Sequence, residues 1–296
     1  MKVTVLGSGS PKASSERCSS GYLLEIGSEK ILMECGPGTV RRLVEAGHVP
    51  TEIDKVFLSH LHFDHWLDLI HFALCRWDTS GPDAKPLKVW GPPGIQEIVD
   101  KAFGADGLLK LDLTARTTHE QSVAIYHGRG GTGARPWPTF EVNEIEETTV
   151  VQGKNWRVSF AEVPHHQPYL ISYGMRWEIG DKVFAYSSDI TWSPEDSTPP
   201  PGLAKVAKDA DLLVQYVNVF GGGLSGVAQP KNENGLLSMI SRCARDANVK
   251  TMVTTHQSPH LNKEGVRERI IQEICNIFPG QLIWGRDHLC LDLNDE

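Results

Sequence analysis

The sequence is short of three things, and each shortage narrows what the protein can be. No apolar run comes near the roughly 18 residues that a membrane-spanning helix needs. There is no CxxC pair. The cysteines Cys18, Cys35, Cys75, Cys243, Cys275 and Cys290 are scattered, and they are expected to be reduced and mostly buried. Positive charge is not in surplus either. Lysine and arginine total 29 against 37 aspartates and glutamates, a formal net charge of −8. That balance argues against a polyanionic partner, because nucleic-acid binders usually present a basic face. The N-terminal Met-Lys-Val-Thr-Val-Leu-Gly enters a strand pattern at once, without the charged start, long apolar stretch and cleavage site of a secretory signal. The expected location is cytoplasmic, with no membrane partner.

What is present suffices for a sizeable core: 296 residues, 40% of them hydrophobic, punctuated by 28 glycines and 18 prolines. In the first half, strands are expected at Val3–Leu6, Gly21–Ile26, Lys30–Glu34, Lys55–Leu58 and Leu87–Trp90. Helices are expected there at Thr39–Ala46, His65–Arg76 and Ile95–Phe103. Residues 104–140 read as irregular, ending in a Gly- and Pro-rich loop over Gly128–Pro138. In the second half, strands are expected at Trp156–Ala161, Ile171–Ile179, Lys182–Tyr186, Val214–Val219 and Thr251–Thr254. Helices follow at Glu233–Asn248 and Gly265–Ile277, and Ser193–Gly202 reads as a second Pro-rich loop. The alternation recurs in both halves, about 1–150 and 151–296, which suggests two similar α/β layers around one core in a single domain.

The chemistry concentrates in Ser59-His60-Leu61-His62-Phe63-Asp64-His65, just past a strand end. Histidines two apart project to the same side while the chain stays extended. Asp64 and His65 then open the next helix. One loop thus offers several nitrogen and oxygen donors to a small volume, as a catalytic zinc-like ion with an open position for water requires. The bland alternative is a surface loop that is rich in histidine by chance. With 12 histidines in the chain, that pattern would arise with odds on the order of one in a thousand. The isolated His71, His119, His127, His260 and His288 read as ordinary surface or packing residues.

The run His60-x-His62-x-Asp64-His65 resembles the signature of the metallo-β-lactamase superfamily, and the resemblance continues along the chain. Val5-Leu6-Gly7-Ser8-Gly9-Ser10-Pro11 resembles the family's first strand and turn. Leu32-Met33-Glu34-Cys35-Gly36-Pro37-Gly38 resembles its Asp-Cys-Gly-x-Gly segment, with Glu34 in place of the aspartate. Pro164-His165-His166-Gln167-Pro168 resembles the segment carrying the third histidine. Tyr186-Ser187-Ser188-Asp189 resembles the Ser-Gly-Asp-Thr segment, with Ser188 in place of its glycine and Ile190 in place of its threonine. Thr254-Thr255-His256 resembles the last strand and final histidine. The Trp90–Gly94 turn and the Gly174-Met175-Arg176-Trp177 strand are similar to the ribonuclease Z-like branch, though not to a typical ribonuclease Z. The fold that this implies is an α/β four-layer αββα sandwich.

The resemblance also implies a ligand set. His60, His62 and His165 would hold one metal, Asp64, His65 and His256 a second, and Asp189 would bridge them. Asp64 and Asp189 are then the carboxylates serving catalysis. Of the adjacent pair, His165 takes the ligand position and His166 supports it or simply packs. The expected cofactor is two Zn2+ per chain, with Mn2+ or Fe2+ as substitutes, about 3.5–4 Å apart as in other two-metal sites.

His62 stands where oxygen-reducing members carry glutamate, so hydrolysis is favoured over redox chemistry. Asp189 points away from the true β-lactamases, which generally lack it. The expected activity is attack by a metal-bridging hydroxide on a small ester-like substrate: an ester, lactone, thioester, phosphodiester or activated halide. A transfer-RNA 3′ endonuclease ranks second. The catalytic glutamate and histidine that ribonuclease Z carries outside its metal shell have no match in Val214-Gln215-Tyr216-Val217-Asn218 or Pro230-Lys231-Asn232-Glu233-Asn234, and an acidic chain grips RNA poorly. A metal-holding sensor with little turnover is the third reading. A homodimer with a small-molecule substrate is expected. Phe63, Trp66, Trp77, Tyr126, Trp137 and Trp192 are candidates to line its pocket, though at least half of them are expected to pack in the core, and Arg129 and Arg135 either anchor an anionic group or sit in a solvated loop.

Overall fold

The computed structural model describes residues 1–191, 198–217 and 233–294. Trp192, residues 193–197, Asn218 and residues 230–232 lie outside the described residues, so the readings placed on them go no further.

The first sheet is built from β1 (Lys2–Gly7), β2 (Gly21–Ile26) and β3 (Glu29–Cys35), paired antiparallel, and β4 (Lys55–Phe57), β5 (Leu87–Gly91) and β6 (Phe140–Glu144), paired parallel. The second repeats that scheme. β7 (Val150–Gln152), β8 (Arg157–Val163), β9 (Ser172–Ile179) and β10 (Lys182–Tyr186) pair antiparallel; β11 (Leu212–Tyr216), β12 (Thr251–Thr255) and β13 (Gln281–Trp284) continue in parallel. The last strand, β14 (Cys290–Asp292), returns to the free edge of β1. Among the described residues each sheet then has seven strands, in the orders β14-β1-β2-β3-β4-β5-β6 and β13-β12-β11-β10-β9-β8-β7.

The period-2 alternation of strand side chains divides the apolar residues between two faces. On β2, Tyr22, Leu24 and Ile26 face the second sheet, while Leu23 faces helices. On β11, Leu212 and Val214 face the first sheet and Leu213 points outward. The inter-sheet core is rich in aromatics. Phe57 stacks on Trp90 with ring centroids 4.6 Å apart and meets Trp177 edge-on at 4.9 Å. Phe57 and Trp177, both fully buried, each contribute on the order of 1.5–3 kcal/mol relative to exposure.

Helices cover both outer faces. α1 (Thr39–Glu45), α2 (Phe63–Trp66), α3 (Asp68–Thr79) and α4 (Ile95–Phe103) follow in order; Leu43, Phe72 and Ile95 pack on Leu23 and Leu32. α5 (Lys110–Thr118) and α6 (Glu120–Gly128) come next, and then α7 (Pro201–Ala207), α8 (Glu233–Asp246) and α9 (Val266–Cys275). Leu203, Ile240 and Ile270 of these last three pack with Leu213 and Met252. The order of layers is helix–sheet–sheet–helix, the expected αββα sandwich. Among the described residues, no helix is long and apolar enough to cross a membrane.

Four expectations need correction. Residues 104–140 are not irregular: α5 and α6 lie there, in a stretch from Lys110 to His127 with neither Gly nor Pro. On α5 only Leu113 is buried, so the helix gives little apolar periodicity; i,i+4 pairs such as Arg116–Asp112 support it instead. The helix placed at His65–Arg76 is two helices, α2 and α3, parted at Leu67. Pro201 and Gly202 belong to α7 rather than to a loop, because proline is tolerated at a first helical position. The cysteines, all free, are not mostly buried: Cys35 and Cys243 are, Cys18 and Cys75 are half-buried, and Cys275 and Cys290 are exposed.

Candidate metal centre

The C-terminal ends of β3, β4, β8, β10 and β12 deliver the chemistry-bearing residues to one edge of the sandwich. After β4, the Ser59 N–H donates to Glu34 Oε1 at 3.0 Å and the Tyr173 N–H donates to Ser59 O at 3.1 Å, which pins the chain just before His60. His62 is extended (φ −67°, ψ 140°) and leads into α2, which carries Asp64 and His65. His165 follows β8, and its N–H donates to Gln167 Oε1 at 2.6 Å. Asp189 follows β10, and His256 follows β12.

Three non-glycine residues at these strand ends sit in the left-handed region: Glu34 (φ 59°), Ser188 (φ 58°) and His256 (φ 60°). Such positions cost about 1–3 kcal/mol each and persist only where the surroundings enforce them. Close packing is part of that enforcement. A Cβ on Gly36 would lie 1.9 Å from the Asp64 carbonyl oxygen, so only glycine lets the segment after β3 press against the histidine-rich loop.

The seven residues fall into two sets. In the first, His62 Nδ1 lies 3.1 Å from His60 Nε2 and 3.0 Å from His165 Nε2. In the second, His256 Nε2 lies 3.1 Å from Asp64 Oδ2, and His65 Nε2 lies 3.5 Å from the same oxygen. Asp189 reaches both. Its Oδ2 is 3.0 Å from His256 Nε2 and 3.9 Å from His60 Nε2, and its Oδ1 is 3.5 Å from His65 Nε2. Ligand atoms of His60, His62, His165 and Asp189 lie within 4.8 Å of one another, as do those of Asp64, His65 and His256.

Hydrogen bonding explains this convergence only in part. His65 Nε2 and Asp189 Oδ1 are buried and make no hydrogen bond. Buried polar atoms are nearly always paired, and these two face each other across the site. Imidazole nitrogen and carboxylate oxygen are the donors that a zinc-like cation takes, so the residues present fit a divalent ion.

Electrostatics separates the two sets. Burial, with His65 close by, holds His60 well below the usual imidazole range, and burial pushes His165 down to about 4. Burial and His166 lower His62 as well. These rings are neutral at pH 7, with lone pairs available. Burial also opposes charge on His65 and His256, but Asp189 and Asp64 outweigh it. His65 rises well above its ordinary value and His256 to about 9. Asp64 and Asp189 are depressed by those same imidazoles, against burial. Divalent cations would supply the same positive charge in competition with the protons.

Two of the nitrogens facing away from the site meet hydroxyls that the sequence reading did not assign, and a third faces a carboxylate. His60 Nδ1 lies 2.9 Å from Ser59 Oγ and His165 Nδ1 lies 3.3 Å from Thr191 Oγ1, while His65 Nδ1 faces Glu34 Oε2 at an ion-pair distance of 3.5 Å with neither atom hydrogen-bonded. Ser59 and Glu34 had a signal, in adjacency to the histidine run and in the substituted Asp-Cys-Gly-x-Gly segment. Thr191 had none beyond lying two residues after Asp189.

The expected aromatic pocket is not at this edge. Phe63 is there, 51% exposed. Trp66 turns away and donates its indole N–H to Leu61 O. Trp77, Tyr126 and Trp137 instead line a cavity of about 120 Å³ with Leu87 and Phe140, at the opposite end of the parallel strands. Arg135 is buried there over the Trp77 ring, 4.0 Å from its centroid, and ion-paired with Asp78 at 3.1 Å. Arg129 donates to the Asp78 carbonyl. Neither arginine is an anion anchor for the metal centre. The sequence grouped these residues by chain proximity, while the α3–β6 packing takes them to the far end.

Known proteins bear on this geometry. Residues 1–89 match the family model of the anti-Pycsar protein Apyc1. Ribonuclease Z of Mycolicibacterium gilvum is 30% identical over 219 residues, a stretch covering 73% of this chain and 68% of that protein. Among solved structures, the metallo-β-lactamase fold protein YhfI from Bacillus subtilis superposes with a TM-score of 0.68 at 19% identity, covering 98% of this chain and 99% of its own. The short form of human tRNase Z gives 0.65 at 18% identity, covering 99% of both chains. Fold and relatives together define a metal-dependent hydrolase of the metallo-β-lactamase superfamily, which uses divalent metal. The chain belongs to the ribonuclease Z-like branch of that superfamily.

Proposed function

We propose that this hydrolase works with two cations on the phosphodiester bond of a small molecule. One observation carries the reading: the Asp189 carboxylate reaches both residue sets, with Oδ2 toward His256 and His60 and Oδ1 toward His65. His60, His62 and His165 would hold one ion, Asp64, His65 and His256 the other, and Asp189 would be shared. The imidazole-rich donor set suits Zn2+, with Mn2+ or Fe2+ as substitutes. Such a pair, when bound, supplies Lewis acidity and activates water at neutral pH.

The chain's own residues do the rest. Burial keeps His60, His62 and His165 unprotonated, so their lone pairs stay available. Ser59 and Thr191 hold the His60 and His165 rings from behind, and the Glu34 carboxylate faces His65. Identity with a ribonuclease favours phosphodiesters over carboxylic esters, lactones, thioesters and activated halides. The net charge of −8 and the exposed Phe63 favour a small, partly apolar substrate over a long polyanion. A cytoplasmic homodimer is the assembly that goes with this reading.

Transfer-RNA 3′ processing is the second reading, favoured by the 30% identity to ribonuclease Z. Zinc-loaded protein should be offered bis(p-nitrophenyl) phosphate, dinucleotides, a lactone, a carboxylic ester and precursor transfer RNA. We expect turnover of the small phosphodiesters. Clean cleavage of the precursor after its discriminator base, without small-diester turnover, would reverse the ranking.

A further inference from the structure

His62 differs from its neighbours in what stands behind it. It presents Nδ1 to His60 and His165, and its other nitrogen, Nε2, lies 3.0 Å from His166 Nδ1. The His60, His165 and His65 rings are backed by a hydroxyl or a carboxylate. The His62 ring is backed by a second imidazole.

A nitrogen can offer its lone pair to a cation only when it carries no proton. A neutral His62 that offers Nδ1 therefore carries its proton on Nε2. That N–H points at His166 Nδ1, which must accept it, and His166 then keeps its own proton on Nε2. The His166 ring also lies flat on His165, with centroids 4.2 Å apart and planes 10° from parallel. It meets His62 at 74°, with centroids 4.8 Å apart. One exposed side chain thus braces two of the three histidines in the first set.

We propose that His166 is a positioning residue. By accepting the His62 Nε2–H it fixes the tautomer and ring direction of His62, and it sets the affinity of the first cation site. This rests on the ligand reading above. Partners behind metal-binding histidines typically govern affinity by about 10–100-fold.

The test separates the hydrogen bond from the ring stack. His166→Asn keeps an oxygen acceptor near the Nδ1 position and loses the stacked ring; His166→Phe keeps the ring and loses the acceptor. Zn2+ stoichiometry and affinity are measured by chelator competition, and Co2+ absorption reports coordination at each site. We expect His166→Phe to weaken one of the two ions by about 10–100-fold and leave the other unchanged. We expect His166→Asn to retain most of the wild-type affinity. Because His166 is exposed, the melting temperature of both chelated variants should match that of the wild type. Wild-type affinity in His166→Phe would overturn the proposal, as would an equal loss in His166→Asn. A chelated-state melting temperature that falls in step with the affinity would also overturn it, in favour of simple packing. Wild-type protein that takes up fewer than two ions would overturn the ligand reading itself, before any variant is compared.

Discussion

Glu34 and His65 face each other in the dry interior, Oε2 to Nδ1 at 3.5 Å, with neither side chain exposed to solvent. The other Glu34 oxygen accepts the Ser59 N–H, so one carboxylate ties the end of β3 to both ends of the histidine run. Glu34→Gln keeps the shape and removes the charge behind His65. Metal affinity at the Asp64, His65 and His256 set should fall by about 10–100-fold, as it does when the group behind a ligand histidine is removed. Zinc titration against a chelator checks this, and unchanged affinity would show Glu34 to be only a backbone tie.

Asp189 is the residue common to both sets, so its loss should be felt twice. Asp189→Ala is expected to lower the bound metal from the proposed two ions toward one or none, with turnover reduced by at least about 100-fold. Elemental analysis of the purified variant beside its kinetics decides it. Two retained ions would mean that the sets are independent.

Removal of the cations should change how stability depends on pH. The folded-state value of His256 is raised from 6.5 to about 9, so its contribution is complete below about 6.5 and fades as pH rises through 9. His165 moves the other way, from 6.5 to about 4, so its contribution is complete above about 6.5 and fades as pH falls through 4. Chelator-treated protein should therefore melt highest near pH 6.5. Zinc-loaded protein should hold its melting temperature to higher pH, because the ions replace the protons on His65 and His256. Thermal scans from pH 4 to 9, with and without chelator, compare the two, and coincident profiles would contradict this account.

Phe57 is the last residue of β4 and lies among Trp90, Trp177 and Trp156. Phe57→Ala should cost about 3–5 kcal/mol, the usual range for emptying a buried aromatic site. Denaturant titration measures it. A cost under about 1 kcal/mol would show that the core collapses around the gap.

Arg135 supplies a negative control. Arg135→Ala should lower stability by about 1–2 kcal/mol through the lost stack on Trp77 and the lost ion pair with Asp78. Metal content and turnover should stay at wild-type levels. A raised KM would return Arg135 to the role of anion anchor.

How much of this was legible depended on range. The His60–His65 run announced itself, because a strand end and a short helix place all of its donors locally. His165, Asp189 and His256 became legible through short segments that resemble a family, since nothing local shows a lone histidine to be a ligand. Trp77, Tyr126 and Trp137 took the core-packing alternative, because distance along the chain does not say which end of a parallel strand a loop reaches. β6, β7, β13 and β14 went unseen for a related reason. They are the edge strands of the two sheets, such as Phe140–Glu144 and Cys290–Asp292, with half-exposed, mixed side chains that carry little alternation. α5 was hidden because a single leucine anchors it.

The pairing of β14 with β1 bears on how the protein comes into being. Lys2, Val3 and Thr4 are made long before their partners Asp292, Leu291 and Cys290. Until residue 290 arrives, Lys2, Val3 and Thr4 present an open ladder of backbone donors and acceptors to any passing strand, a known route to aggregation. His256 precedes β14 in the chain, so the residues of the proposed second cation site are all made before the first sheet can close. A product truncated just before β14 would carry every residue of the candidate centre on a sheet with an unpaired edge, which makes it a natural target for quality-control proteases.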